Sequence, residues 1–343
     1  MESEFLSGIW IDEFINNREI RISFKFFTQH LIIPQTLQYE NKNYFITKIE
    51  NHGLREENPN LKSVRIMYGL KEVGWHAFSS CTSLTSVELS ESITYLGIYS
   101  FSCCYALTSI NLPNSITTIE EGAFFHCTSL ISINIPNKVS TIKSNTFAYC
   151  TSLTSIIIPN NVKYIRQHAF QYCKSLDSIK ISDNIVEIGR GVFNNCTALT
   201  TINLPNSLTT IGNKAFFDCR KLESIYIPDS VSEIGVKAFS LCMSLSSIKL
   251  SNSISEIKEY TFKQCVNLTS ITIPKNIAKI GEEAFSKCVS LRFINIESEN
   301  IEIAFNTFKG CVNVSEVRLK KQLFNKMQNL FSDSKHKVKF ILY

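Results

Sequence analysis

Cysteine stands at positions 81, 104, 127, 150, 173, 196, 219, 242, 265, 288 and 311, each 23 residues after the last. Of the twelve cysteines only Cys103 lies outside this series. Three residues before each member stands a phenylalanine, from Phe78 to Phe308, without one substitution. Three residues after it comes a leucine, from Leu84 to Leu291, with Val314 in the last copy. Aliphatic residues follow at six and eight, from Val87 and Leu89 to Val317 and Leu319. The consensus is C-t-s-L-t-s-I-x-I-P-n-s-I-t-x-I-g-x-x-A-F-x-x. Asn58 takes the cysteine place in one further copy upstream. A unit of this size cannot bury its apolar residues alone, so the copies must stack into a solenoid with a continuous core.

Within a unit, L-t-s-I-x-I is β-branched and alternating, the pattern of a strand with one buried face. Proline ends it in six copies (Pro113, Pro136, Pro159, Pro205, Pro228 and Pro274), where the chain must leave the sheet for want of an N–H. The later I-x-x-I step suggests a second, shorter strand. The spacing A-F-x-x-C predicts one side of a short helical turn. The fold expected is therefore an α/β repeat solenoid, strand-dominated, with about twelve 23-residue turns over residues 58–319. A parallel sheet would line its concave face, with caps at residues 1–57 and 320–343.

Both ends carry cap signals, since a solenoid left open would expose its core. Phe5, Leu6, Ile9, Trp10 and Phe14 recur at helical spacing, and residues 19–27 alternate like a half-buried strand. At the other end Leu323, Phe324, Met327, Leu330 and Phe331 share a helical face, and KVKFILY at 337–343 reads as a closing strand.

The spacing L-x-x-I-x-I-P followed by I-g-x-x-A-F-x-x-C resembles the BspA-type (Treponema pallidum-type) leucine-rich repeat family. The resemblance covers residues 58–319 and extends upstream, where residues 31–53 are similar to an irregular first unit with an inserted hairpin. Members of that family are mostly surface or secreted proteins of oral and gut bacteria and of anaerobic protozoa, linked to adhesion. The resemblance therefore implies a protein-binding surface antigen or adhesin-like module, with a host-matrix or microbial surface protein as partner, and no enzyme. An intracellular protein-interaction scaffold is the alternative. The N-terminus lacks the basic and apolar regions of a secretory signal, and no uncharged apolar run is long enough to span a bilayer. From residues alone the chain reads as soluble, monomeric and cytoplasmic, with a surface location implied only by the family.

The formal charge is +5. Residues 318–343 carry seven Lys or Arg against one Asp, so the rest of the chain stands at −1 and shows no polyanion-binding signature. No nucleic-acid partner is expected. The basic end is read as a solvated cap because no interleaved aromatics accompany it.

Chemistry finds little support. His76 and His168 share a column four turns apart, too far to hold one ion. There is no H-E-x-x-H, no phosphate loop, no G-x-S-x-G and no C-x-x-C, so no cofactor, metal or catalytic residue is assigned. Asn195, Asn267 and Asn313 begin N-x-S/T triplets at close to chance frequency. A ladder of eleven thiols forms a line, which suits neither a tetrahedral metal nor complete pairing in disulfides; close packing of a small apolar side chain is the reading kept.

Function is sought in the columns that vary. Residues five and seven after the cysteine should point to the open face of the sheet. The first column is nearly all serine. The second changes freely and includes Asn134, Ile157, Lys180, Asn203, Tyr226 and Lys249. With Phe293 from the serine column, these are the candidate protein-binding residues. Solvated positions under no demand are the alternative reading, against which Ile157, Tyr226 and Phe293 favour contact.

Overall fold

The structure is a computed structural model; it describes residues 9–24, 28–54, 58–335 and 337–343. The chain divides into two compact units, residues 1–162 and 163–343. Each is a strand-dominated parallel solenoid of the leucine-rich repeat kind.

In the first unit one sheet layer is built from L-t-s-I-x-I. Strands His30–Ile33, Ser63–Ile66 and Ser86–Glu88 run parallel, with Leu31, Val64 and Val87 in register and buried. Ser109–Ile110 and Ser132–Ile133 repeat the same pairing. The I-x-x-I step forms the second layer, in which Lys42–Leu54, Glu72–Val73, Tyr95–Leu96 and Thr118–Ile119 stack in parallel. A hairpin inserted here pairs Thr36–Tyr39 with the start of Lys42–Leu54. Its two-residue loop, Glu40 and Asn41, has φ of 44° and 61°, the mirror-image turn that matches strand twist.

The second unit repeats the scheme. Ser224–Tyr226 pairs with Ser247–Lys249, and Ser270–Ile273, Phe293–Ile296, Glu316–Leu319 and Lys339–Leu342 form a parallel run. Its second layer holds Tyr164–Ile165, Glu187–Ile188, Thr210–Ile211 and Glu233–Ile234, then Glu256–Ile257, Lys279–Ile280 and Glu302–Ile303.

Between the layers lies a file of phenylalanines. In the second unit, rings from Phe170 to Phe308 follow one another at centroid distances of 5.2 to 5.8 Å and interplanar angles up to 22°. Phe78, Phe101, Phe124 and Phe147 do the same in the first unit. The turn spacing slightly exceeds ring thickness, so the rings stack offset, as their quadrupoles prefer.

The A-F-x-x-C segment is not the helical turn its spacing predicts. Around Phe216, the N–H groups of Ala215, Phe217 and Cys219 bond back three residues, to Gly212, Lys214 and Phe216 carbonyls. Those of Lys214, Phe216 and Asp218 instead donate to Val236, Ala238 and Ser240 of the next turn, at 2.8 to 2.9 Å. The segment thus alternates local turns with rungs between turns, and every N–H named has a partner. Lys214 and Asp218 pay for this with φ of 56° and 59°. The same two columns have positive φ in most turns, and few of their residues are glycine.

The expected N-terminal cap helix is also corrected. Ile9–Phe14 is a strand, antiparallel to Glu19–Phe24, with a bulge between Ile11 and Glu13. Ile9 and Ile11 are buried while Asp12 and Glu13 are exposed, a period of two for the part that pairs. Phe5 and Leu6 lie outside the described residues, as do Lys25, Phe26 and Phe27 of the second predicted strand. At the C-terminal end the helical face is present. Turns of 3-10 and α-helix over Lys321–Phe331 bury Leu323, Met327 and Phe331. Phe331 continues the phenylalanine file, 5.1 Å from Phe308, and Lys339–Leu342 adds a strand beyond Glu316–Leu319.

Leu241 occupies one of the left-handed positions, with φ of 65°. The left-handed region costs an ordinary side chain about 1–2 kcal/mol, less for asparagine and more for β-branched residues. Leu241→Asn is therefore expected to raise the urea midpoint and Leu241→Val to lower it, by about 1 kcal/mol each way. A measurement by equilibrium unfolding in which Val is tolerated as well as Asn would refute the turn geometry.

Candidate protein-binding face

Alternation along each short strand decides which side chains leave the core. In Ser224-Ile225-Tyr226 the middle residue is buried and its neighbours are exposed, and the pattern recurs in Ser155–Ile157 and Ser178–Lys180. All seven candidate residues are exposed: Asn134, Ile157, Lys180, Asn203, Tyr226, Lys249 and Phe293. The large apolar ones are well out in solvent, Ile157 at 65 %, Tyr226 at 51 % and Phe293 at 51 % of their full surface. Interior strands spend their backbone groups on the parallel ladders, so what this face presents is side chains.

The first unit places Asn134 and Ile157 beside a shallow recess of about 390 Å³, lined also by Asn111, Ser109, Ser132 and Ser155. Earlier in the same column Arg65 and Glu88 neutralise one another, Nε to Oε2 at 2.9 Å. Ile32 stands opposite Arg65 in register and is 61 % exposed. Sequence reading missed it because the inserted hairpin breaks the 23-residue count. Ile131, half exposed one column away, was missed because that column is otherwise polar.

The second unit carries the other five. Tyr226 and Lys249 are opposite one another in adjacent strands, and the ammonium lies 5.3 Å from the ring centroid, within reach of its negative face. Lys180 and Asn203 precede them in the same column. Phe293 replaces the small residue at the head of its strand and walls a cleft of about 280 Å³ with Arg318, Thr272 and Ser270.

His76 stacks on Tyr99 at 5.2 Å. Partial burial, then the charges of Arg190 and Lys214, lower the pKa of His168, so its imidazole stays neutral near neutral pH. No group of three or more potential metal ligands occurs among the described residues. No described helix is long and apolar enough to cross a membrane.

The ladder cysteines are fully buried free thiols, and they do more than fill space. Cys104, Cys127 and Cys150 donate S–H to the carbonyls of Phe78, Phe101 and Phe124, at 3.1 to 3.3 Å. Cys196 to Cys311 repeat the bond in the second unit. Desolvation by burial raises the pKa of Cys127, Cys219 and Cys242 far from the nucleophilic range.

A model of the "BspA type Leucine rich repeat region (6 copies)" matches residues 47–177, 164–292 and 255–342. The chain belongs to the BspA-type leucine-rich repeat family. No curated protein matches it. Among solved structures, a leucine-rich repeat protein from Bacteroides ovatus is 25 % identical, covers 98 % of this chain and 99 % of its own, and superposes with a TM-score of 0.71. A leucine-rich cell surface protein from Faecalibacterium prausnitzii is also 25 % identical, over 97 % and 98 % of the two chains, with a TM-score of 0.57. The pneumococcal vaccine antigen PcpA shares 15 % identity over 99 % and 98 %, with a TM-score of 0.63, and so shares the fold.

In this BspA-type chain only Cys103 is partly exposed among the cysteines. Alkylation of native protein should modify Cys103 first, the other eleven reacting only with added denaturant. Mass spectrometry that found ladder cysteines labelled at the rate of Cys103 would contradict their burial.

Proposed function

We propose that the chain is a non-catalytic protein-binding module of surface antigen or adhesin type, using the exposed face of its L-t-s-I-x-I strands. The observation that carries this is the exposure of Ile157, Tyr226 and Phe293 in columns where most positions are small or polar. Leaving such groups in water forgoes about 25 cal/mol for each Å² that a partner would cover. A small-residue column beside them gives a flat floor, and Asn134, Lys180, Asn203 and Lys249 supply polar specificity around it. That the similar Faecalibacterium protein is a leucine-rich cell surface protein supports the surface role.

A second reading, an intracellular interaction scaffold, is favoured by one observation. All twelve cysteines are free, as expected of a reducing compartment. Both readings place the partner on the same face.

Capture from extracellular-matrix extract and from lysate of the source cell, by wild type and by Tyr226→Ala and Lys180→Ala, tests the site. Each variant should lose about tenfold in apparent affinity for the captured partner, about 1.4 kcal/mol, with unfolding midpoints unchanged. Undiminished capture by both variants would move the site off the strand face.

A further inference from the structure

At the C-terminal end of the second unit the strand face opens into two recesses that share Asn295 and Arg318. The smaller is the cleft of about 280 Å³ under Phe293. The larger, about 810 Å³, is bounded by Asn276, Glu297, Glu299, Lys320 and Tyr343. We propose that this double recess binds a neutral oligosaccharide.

Charge selects the ligand class. Lys275, Arg318 and Lys320 line the two recesses with Glu297, Glu299 and Glu316, three cations against three carboxylates. An ionic ligand of either sign would meet repulsion as often as attraction; a neutral polar ligand meets donors and acceptors without that penalty. Four of the six charges are already matched in pairs, Arg318 Nε to Glu316 Oε1 at 2.8 Å and Lys320 Nζ to Glu299 Oε1 at 3.6 Å. Pairing holds the side chains in place and leaves capacity over. The guanidinium spends its Nε–H on Glu316 and still presents its Nη groups in a planar fork.

Amides supply the rest of a hydroxyl-binding set. Asn295 Nδ2 donates to Glu297 Oε1 at 3.3 Å, and Asn276 Nδ2 donates to the Asn252 carbonyl at 2.7 Å; both amides line the larger recess, and each carries an acceptor oxygen. Sugar hydroxyls both donate and accept, so a lining of carboxylate, amide and guanidinium can satisfy them in pairs. Phe293, half exposed at the mouth of the smaller cleft, offers a flat apolar ring to the C–H face of a pyranose. The volumes lie within or near the range of small-ligand sites.

The inference stands beside the protein-binding reading and shares with it only Phe293. Chemical-shift titration of full-length protein with maltotriose, cellotriose, chitotriose and xylotriose tests it, with a sulfated heparin disaccharide as charged control. At least one neutral sugar should bind with a Kd of about 1 mM or tighter. Arg318→Ala, Arg318→Lys and Phe293→Ala should each weaken it about tenfold, whereas Lys180→Ala should not. The Arg318 side chain is 58 % exposed, so its removal leaves the fold intact. Absence of binding by all four sugars at about 10 mM, binding indifferent to Arg318, or tighter binding of the sulfated control would overturn the proposal. Loss of partner capture in Tyr226→Ala with sugar binding retained would separate the two sites.

Discussion

Everything in each unit hangs on the rungs that join one A-F-x-x-C segment to the next. There the chain is not helical, yet its backbone must stay hydrogen-bonded because it runs beside the buried phenylalanine file. Alternating local bonds with bonds to the next turn solves this. It requires two left-handed residues per turn and fixes the repeat at one length, since a single inserted residue would put every rung out of register.

The same constraint explains the side chains that repeat. A thiol donating to the phenylalanine carbonyl of the turn before needs little room and tolerates complete burial. Hydroxyls behave alike at the surface: Thr85, Thr200, Ser246 and Thr269 each donate to the carbonyl 23 residues earlier. These columns belong to the fold and recur for that reason. Positions seven residues after each cysteine carry no contact that recurs from turn to turn, and there the chain varies from Asn134 to Ile157, Lys180 and Tyr226. A binding module is an economical use of such a scaffold, because partner specificity can change without touching the core.

The period, both strand layers and the buried columns were legible in the sequence because burial repeats with a period of two and turns with a period of 23. The left-handed turns were not, since Leu241, Tyr172 and Lys214 give no glycine signal; the rungs impose that conformation from outside the segment. Ile9 and Trp10 mimicked a helix because the six apolar residues among the ten from 5 to 14 fit several periods, and pairing with Glu19–Phe24 decides the matter. The seven candidate residues were readable as outward-facing from alternation alone. Ile32 was hidden by the hairpin, and the recess at Arg318 depends on Tyr343, which lies past the last clear copy of the repeat.

Native-state amide hydrogen exchange tests the rungs most directly. Lys214, Phe216 and Asp218 lie in and beside the segment whose spacing predicts a helical turn, and the lysine side chain reaches solvent. If their N–H groups bond to the next turn, all three should exchange only through large-scale opening, as slowly as core-strand Ile225. Exchange of Lys214 and Asp218 at the rate of an exposed loop, with Ile225 still protected, would contradict the account.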